Sequence, residues 1–380
     1  MAQTKIPVRM KKILFSLLLS LLSCFAAIAA LQPGVPGHRL KALDAYDQFN
    51  LVYLDSAKYI YKDLATTTRA VDRWHGAAAI WCQAIFYEMA LQAYQCACES
   101  KDAELKQKYK ENAIHLLEGN RKQYVNFNFD DCNTNTGWFV YDDIMWWTIA
   151  FAHAYQTFGN KEYLQLAIRS FKRVWSGSKV VGDDGSYANP KRGLGGGMFW
   201  EWQPIDKPNP HQPGDFRSAC INFPTVIAAC LLYQSTHKKH YLRKAREIFS
   251  WADMTLVKEG RVADGIHDGP AEWNDHLYNQ ATYIGASKLL YQLTGDVAYK
   301  QKATAALSYT RKMSPEDILP REYGPEQGVY TAIYAMYASD LESQAIFPTD
   351  TSASHYADKV FPDVYHASGL PALLLFREDL

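Results

Sequence analysis

The sequence predicts an all-α protein, a closed toroid of helical hairpins of the (α/α)6 barrel type. Three observations predict it. From about Leu43 onward, apolar residues recur at spacings of three and four, the period of a helix with one buried face. Few segments alternate strictly enough to be strands. Three segments, beginning at His153, Leu231 and Leu289, share one pattern: Tyr-Gln, a second Tyr eight residues after the first, and an Ala four beyond that. Long loops, Ser176 to Arg217 and Glu259 to Asp275, alternate with short turns.

The repeated unit reads as helix, tight turn, helix. Its Tyr pairs are Tyr155/Tyr163, Tyr233/Tyr241 and Tyr291/Tyr299, and Gly159-Asn160 and Gly295-Asp296 are helix-stop and turn chemistry. A hairpin of this kind has a face it cannot bury alone, and stacking hairpins buries it. Units about 60–80 residues apart are too widely spaced for a tetratricopeptide-like solenoid. Loops of about 40 residues also fit an open solenoid poorly, but they fit the active-site face of a closed ring. Ten or eleven helices can be placed, close to the twelve of an (α/α)6 barrel.

The N-terminus carries Lys5, Arg9, Lys11 and Lys12 ahead of an apolar run, Ile13 to Ala30, with no acidic residue before Asp44. This is the pattern of a secretory signal, so residues 1–30 are expected to export the chain. Two processing outcomes are open: cleavage after Ala27-Ile28-Ala29, or lipidation of Cys24 within Leu21-Leu22-Ser23-Cys24. The destination is then the periplasm, the outer surface or the medium. Residues 31–40 read as a Pro/Gly linker and 41–380 as a single catalytic domain. No later stretch reads as a membrane span.

Lys+Arg and Asp+Glu balance at 40 each over 380 residues. That leaves no basic field for nucleic acid and points to a substrate that is neutral or whose charge is handled locally. The 25 Tyr and 10 Trp suit a packed core and also a carbohydrate cleft. Seven cysteines contain no CxxC, and HExxH is absent, so neither a zinc site nor any other metal or cofactor is expected. Small buried thiols are as well supported as disulfides.

Three Asp-Asp pairs compete for the chemistry. Asp183-Asp184-Gly185 has the composition of a surface turn. Asp130-Asp131 lies in a polar loop. Asp142-Asp143 opens a helix that is apolar almost all round, Ile144 to Phe158, which should therefore be an inner one. Capping explains an Asp at a helix start, but neighbours splayed by roughly 100° can also line one cleft. Retaining glycosidases need carboxyl groups about 5–5.5 Å apart, whereas inverting ones need about 6.5–9.5 Å. Adjacent side chains meet the shorter separation. One carboxyl must be ionised and the other protonated, and like charges plus burial against Trp146 or Trp147 separate their pKa values.

With these residues in view, the chain resembles glycoside hydrolase family 76, the endo-α-1,6-mannanases and related fungal cell-wall proteins. Tyr141-Asp142-Asp143 followed by Trp146-Trp147 is similar to the family's catalytic signature. Gly195-Gly196-Gly197-Met198-Phe199-Trp200, Asn222, Asp264-Gly265 and Tyr278-Asn279-Gln280 agree in order. The resemblance implies an (α/α)6 barrel, no catalytic metal, Asp142 as nucleophile and Asp143 as acid/base. It departs at Ala281, where Gly is usual, at Tyr330-Thr331-Ala332-Ile333, and at Arg217-Ser218.

Tyr141, Trp146, Trp147, Trp200, Asn222, Tyr278 and Asn279 are the expected substrate contacts. Several have plainer readings: Trp147 as core, Asn222 and Asn279 as helix starters, Arg217 in a surface ion pair, His75 as a structural histidine. The expected activity is retaining cleavage of α-1,6-mannosidic bonds in a mannan-like polysaccharide, by a monomer. A transglycosidase on the same scaffold and a non-catalytic surface glycan-binding protein are the rival readings.

Overall fold

The computed structural model describes residues 37–64, 78–131, 138–202, 210–314, 319, 327–338 and 364–376. The signal segment, Cys24, residues 31–36 of the linker, and Trp74-His75 lie outside the described residues. Helix α1 spans Gly37–Tyr53, α2 Ile80–Cys98, α3 Ala103–Gln123, α4 Tyr141–Phe158, α5 Lys161–Ser176 and α6 Ala219–Thr236. They are followed by α7 (Lys239–Leu256), α8 (Leu277–Thr294), α9 (Val297–Met313), α10 (Gln327–Ala338), the short α11 (Val364–Ala367) and α12 (Gly369–Phe376). The fold is all-α, as expected.

The even-numbered helices form the inner ring. α2 packs on α4, α4 on α6, α6 on α8, α8 on α10 and α10 on α12, and α12 returns to α2. Each odd-numbered helix from α3 to α9 lies outside the inner helix that precedes it, and α1 lies outside α12. Sequence explains the sorting. Inner α4 and α6 are buried on nearly every side, from Tyr141 to Ala152 and from Ala219 to Leu232. Outer α5 and α7 bury one stripe, such as Tyr163, Leu166, Ala167, Ser170 and Phe171. By length and composition α6 could cross a membrane, contrary to the sequence expectation, but 78% of it is buried inside the ring.

The linker was expected to run to Leu40, yet α1 begins at Gly37. Arg39 accounts for the difference. Its guanidinium pairs with Glu99 at 3.0 Å and donates to the Leu375 carbonyl of α12 at 3.4 Å, so it ties the first helix to the last.

The repeated Tyr pattern is a turn device. The N–H of Gly159, His237 and Gly295 each donates to the carbonyl of the first Tyr, 155, 233 or 291, at 2.8 Å. All three residues are left-handed, with φ of 68°, 55° and 69°. The second Tyr closes the next helix's first turn through its own N–H, onto Asn160, Lys238 or Asp296. The middle unit makes the turn with neither the Gly nor the side-chain cap that Asn160 and Asp296 supply.

Three two-stranded pieces lace the opposite end. β1 (Leu54–Asp55) pairs with β2 (Ile60–Tyr61), β4 (Val257–Lys258) with β5 (Arg261–Val262), and β3 (Arg217–Ser218) with β6 (Gly265–Ile266). The last pair joins the two long loops, so the N-terminal ends of α4, α6 and α8 meet on one face.

Candidate active site

Asp142 and Asp143 occupy the first turn of α4, 9% and 4% exposed. The turn is held by a short antiparallel contact. Tyr141 N–H donates to the Trp200 carbonyl at 2.9 Å, and Trp202 N–H donates to Phe139 at 2.8 Å. The Gly-rich stretch brings Trp200 there. Gly196 and Gly197 have φ of 93° and 80°, and a Cβ on either would lie 2.6 or 2.3 Å from the Trp251 ring.

Two side chains clamp that stretch. Asn222 accepts from Met198 N–H at 2.9 Å and donates to the carbonyls of Met198 and Ser218. Arg217 donates to the carbonyls of Leu194, Gly196 and Pro213 at 3.1–3.3 Å. Asn222 is fully buried, so it holds the loop rather than touching sugar. Arg217 is buried too, and not in a surface ion pair.

The indole of Trp200 and the thiol of Cys220 lie close enough to the Asp142 carboxyl to favour its charged form. Cys220 also lies 2.9 Å from Ser218 Oγ. Burial, and then the charge of Asp143, hold the Asp142 carboxyl well above the usual carboxylate range, and those two neighbours offset only part of this. Asp142 Oδ1 is buried with no hydrogen-bond partner among the described residues. The two neighbouring carboxyls therefore do not readily carry two charges at once, which suits a pair that shares one proton. Cys220, read from sequence as a small buried thiol, belongs to the site.

An aromatic arc rims the pair. Trp146 lies 6.4 Å from Trp81, Trp81 stacks on Tyr330 at 6.3 Å, and Tyr330 stacks on Tyr278 at 4.5 Å. His276 sits 5.7 Å from Tyr278. Burial, and then the charges of Cys220, Asp264, Tyr330 and Asp142, raise the Tyr278 phenol. Trp81, Tyr330 and His276 were missed from sequence. Their common signal is position, at or beside the first turn of an inner helix.

Three further expected contacts belong elsewhere. Trp147 is fully buried, donates to the Ile80 carbonyl at 2.9 Å and packs on Tyr87, Phe127 and Phe151, so it is core. Asn279 is fully buried and donates to Asp264 Oδ1 at 3.1 Å, so it holds the more open Asp264. Tyr141 is buried with its hydroxyl on Asp183, away from the cleft.

Asp183-Asp184 is not a surface turn. Asp183 is buried and pairs with Arg173, and Asp184 holds His211 Nδ1 at 2.5 Å. The other His211 nitrogen meets the Glu201 carbonyl at 3.1 Å, beside Trp200, and its ring stacks on Phe199 at 4.4 Å. Burial works against a charged His211, but Asp184 wins and raises its pKa; burial also works against an ionised Asp184, but His211 wins and lowers it. The histidine's contribution to stability is full below about pH 6.5 and is lost as pH rises through the raised value. The carboxylate's contribution is full above about pH 3.9 and is lost as pH falls through the lowered value. The advantage in melting temperature of the native protein over His211→Gln should therefore be larger at about pH 5.5 than at about pH 8.5. An advantage that does not change with pH would contradict the pairing.

Several solved structures share this fold at low sequence identity. An α-1,6-mannanase, GH76A, from Salegentibacter sp. HEL1_6 is 22% identical, with a TM-score of 0.66, covering 89% of this chain and 98% of that one. An inactive variant of that enzyme, with asparagine in place of two successive aspartates, was solved in complex with α-1,6-mannotriose. It matches at 20% identity and a TM-score of 0.66, with the same coverage. A family 76 glycoside hydrolase described as a mannosidase, Bt3792 of Bacteroides thetaiotaomicron VPI-5482, is 18% identical at a TM-score of 0.67, covering 89% of this chain and 97% of that one. No curated protein matches. The model of glycosyl hydrolase family 76 matches residues 48–359. The chain belongs to glycosyl hydrolase family 76, and it is a glycoside hydrolase.

Proposed function

We propose that this enzyme cleaves α-1,6-mannosidic bonds in a mannan by retaining double displacement. The observation that carries the reading is the pair of neighbouring, largely buried carboxyls at the mouth of the inner ring. Mannose rings would lie against the arc of Trp81, Tyr330 and Tyr278. With the pair's one proton on Asp143, Asp142 is the anion, and the Trp200 indole and Cys220 thiol beside it favour that charge. Asp143 then protonates the glycosidic oxygen while the Asp142 carboxylate attacks the anomeric carbon. The C1–O bond breaks and a glycosyl ester forms. Asp143, now a base, takes a proton from water, whose oxygen attacks C1 and frees Asp142. The relative solved with α-1,6-mannotriose after losing two successive aspartates supports both the substrate class and the pair.

The same reading has the chain exported on its N-terminal signal, either freed near Ala29 or anchored through Cys24, and acting as a monomer. Incubation with linear α-1,6-mannan, debranched yeast mannan and an α-glucan tests the substrate. Short manno-oligosaccharides from the first two, and nothing from the third, are expected. Products longer than the substrate would instead mark a transglycosidase, and binding without products a retired scaffold.

A further inference from the structure

Tyr141 directly precedes Asp142 yet turns away from the cleft. Its hydroxyl donates to Oδ1 of Asp183, an oxygen that also accepts from Gly185 N–H at 2.7 Å. The second Asp183 oxygen pairs with Arg173, near the end of α5. Arg173 is fixed in turn by donating to the Phe129 carbonyl at 3.0 Å and by lying 5.9 Å above the Trp202 ring. On its other side, the Tyr141 backbone is bound to the Trp200 carbonyl. The residue before Asp142 is thus held through both side chain and main chain.

Helix formation does not require this anchor. Inner helices α6 and α8 open on Ala219 and Leu277, which have no polar side chain to tether. The anchored helix is the one that carries the carboxyl pair. A side chain with two charged groups behind it resists the small shifts that cost an attacking group its alignment.

We infer that Tyr141, held by Asp183 and Arg173, is a positioning residue that aims the Asp142 carboxylate at the anomeric carbon. The inference rests on the reading of Asp142 as the attacking group. Tyr141→Phe keeps the ring and removes only the tether. On linear α-1,6-mannan, well below the melting temperature, it should lower kcat by about tenfold and leave KM within about twofold. Amide exchange over residues 139–143 should rise by a similar factor, while α8 is unchanged. A kcat within about twofold of native, or unchanged exchange over 139–143, would overturn the inference, whatever happens to the melting temperature. A native protein that cleaves no glycoside would instead overturn the functional reading, and the exchange measurement would still decide whether the tether fixes this turn.

Discussion

Asp142→Asn and Asp143→Asn should each lower turnover of α-1,6-mannan by about 10³-fold or more while leaving the fold intact. The two losses should differ in kind. An activated aryl mannoside, such as a dinitrophenyl glycoside, leaves without a proton, so Asp143→Asn should still form the glycosyl ester from it. Added azide should then release a glycosyl azide, because azide needs no general base. Asp142→Asn should fail on both substrates, because no carboxylate remains to attack. The same variants separate the two causes of the raised Asp142 pKa. Replacing Asp143 removes its charge but not the burial, so the Asp142 pKa should fall part of the way toward its ordinary value. Attack needs the anion, so the acid limb of the activated-substrate profile should move to lower pH. Equal loss in both variants on the activated substrate would contradict the division of roles.

Asp183→Leu should destabilise the protein by about 3–5 kcal/mol, because it takes the fully buried partner from the Arg173 guanidinium and leaves it only the more open Asp130, 3.4 Å away. Tyr141 and Gly185 lose their acceptor as well. Arg173→Met should cost a similar amount, since it strands the carboxylate. The double variant should be more stable than either single one, because two apolar groups of similar volume bury more cheaply than one unpaired charge. Urea midpoints at constant slope measure all three. Additive losses in the double variant would show that the pair is not a pair, and near-native single variants would show that it is not buried in solution.

The fold was legible because its signals are local. Tyr-Gln and the residue four after the Tyr mark each hairpin turn, and the all-apolar run after Asp143 marks an inner helix. The carboxyl pair was legible because it interrupts that run at its start. Contacts made across the ring were not. Asp183-Asp184-Gly185 has turn composition, and nothing nearby shows that Arg173, ten residues earlier on α5, faces inward to meet it. Trp147 and Trp146 are neighbours in sequence, but only the helix rotation decides that one enters the core and the other reaches Trp81. Trp81 and Tyr330 lie far apart in the chain and meet only because α2 and α10 both start at the same face. Asn222 and Asn279 sit near the cleft as expected, but burial commits their amides to the loop and to Asp264.

Time-resolved proton NMR of the first products from linear α-1,6-mannan tests the central claim most directly. If Asp142 and Asp143 act by double displacement, the new reducing ends appear first as the α-anomer, and the β-anomer grows in only by mutarotation. New ends that appear first as the β-anomer would contradict the account.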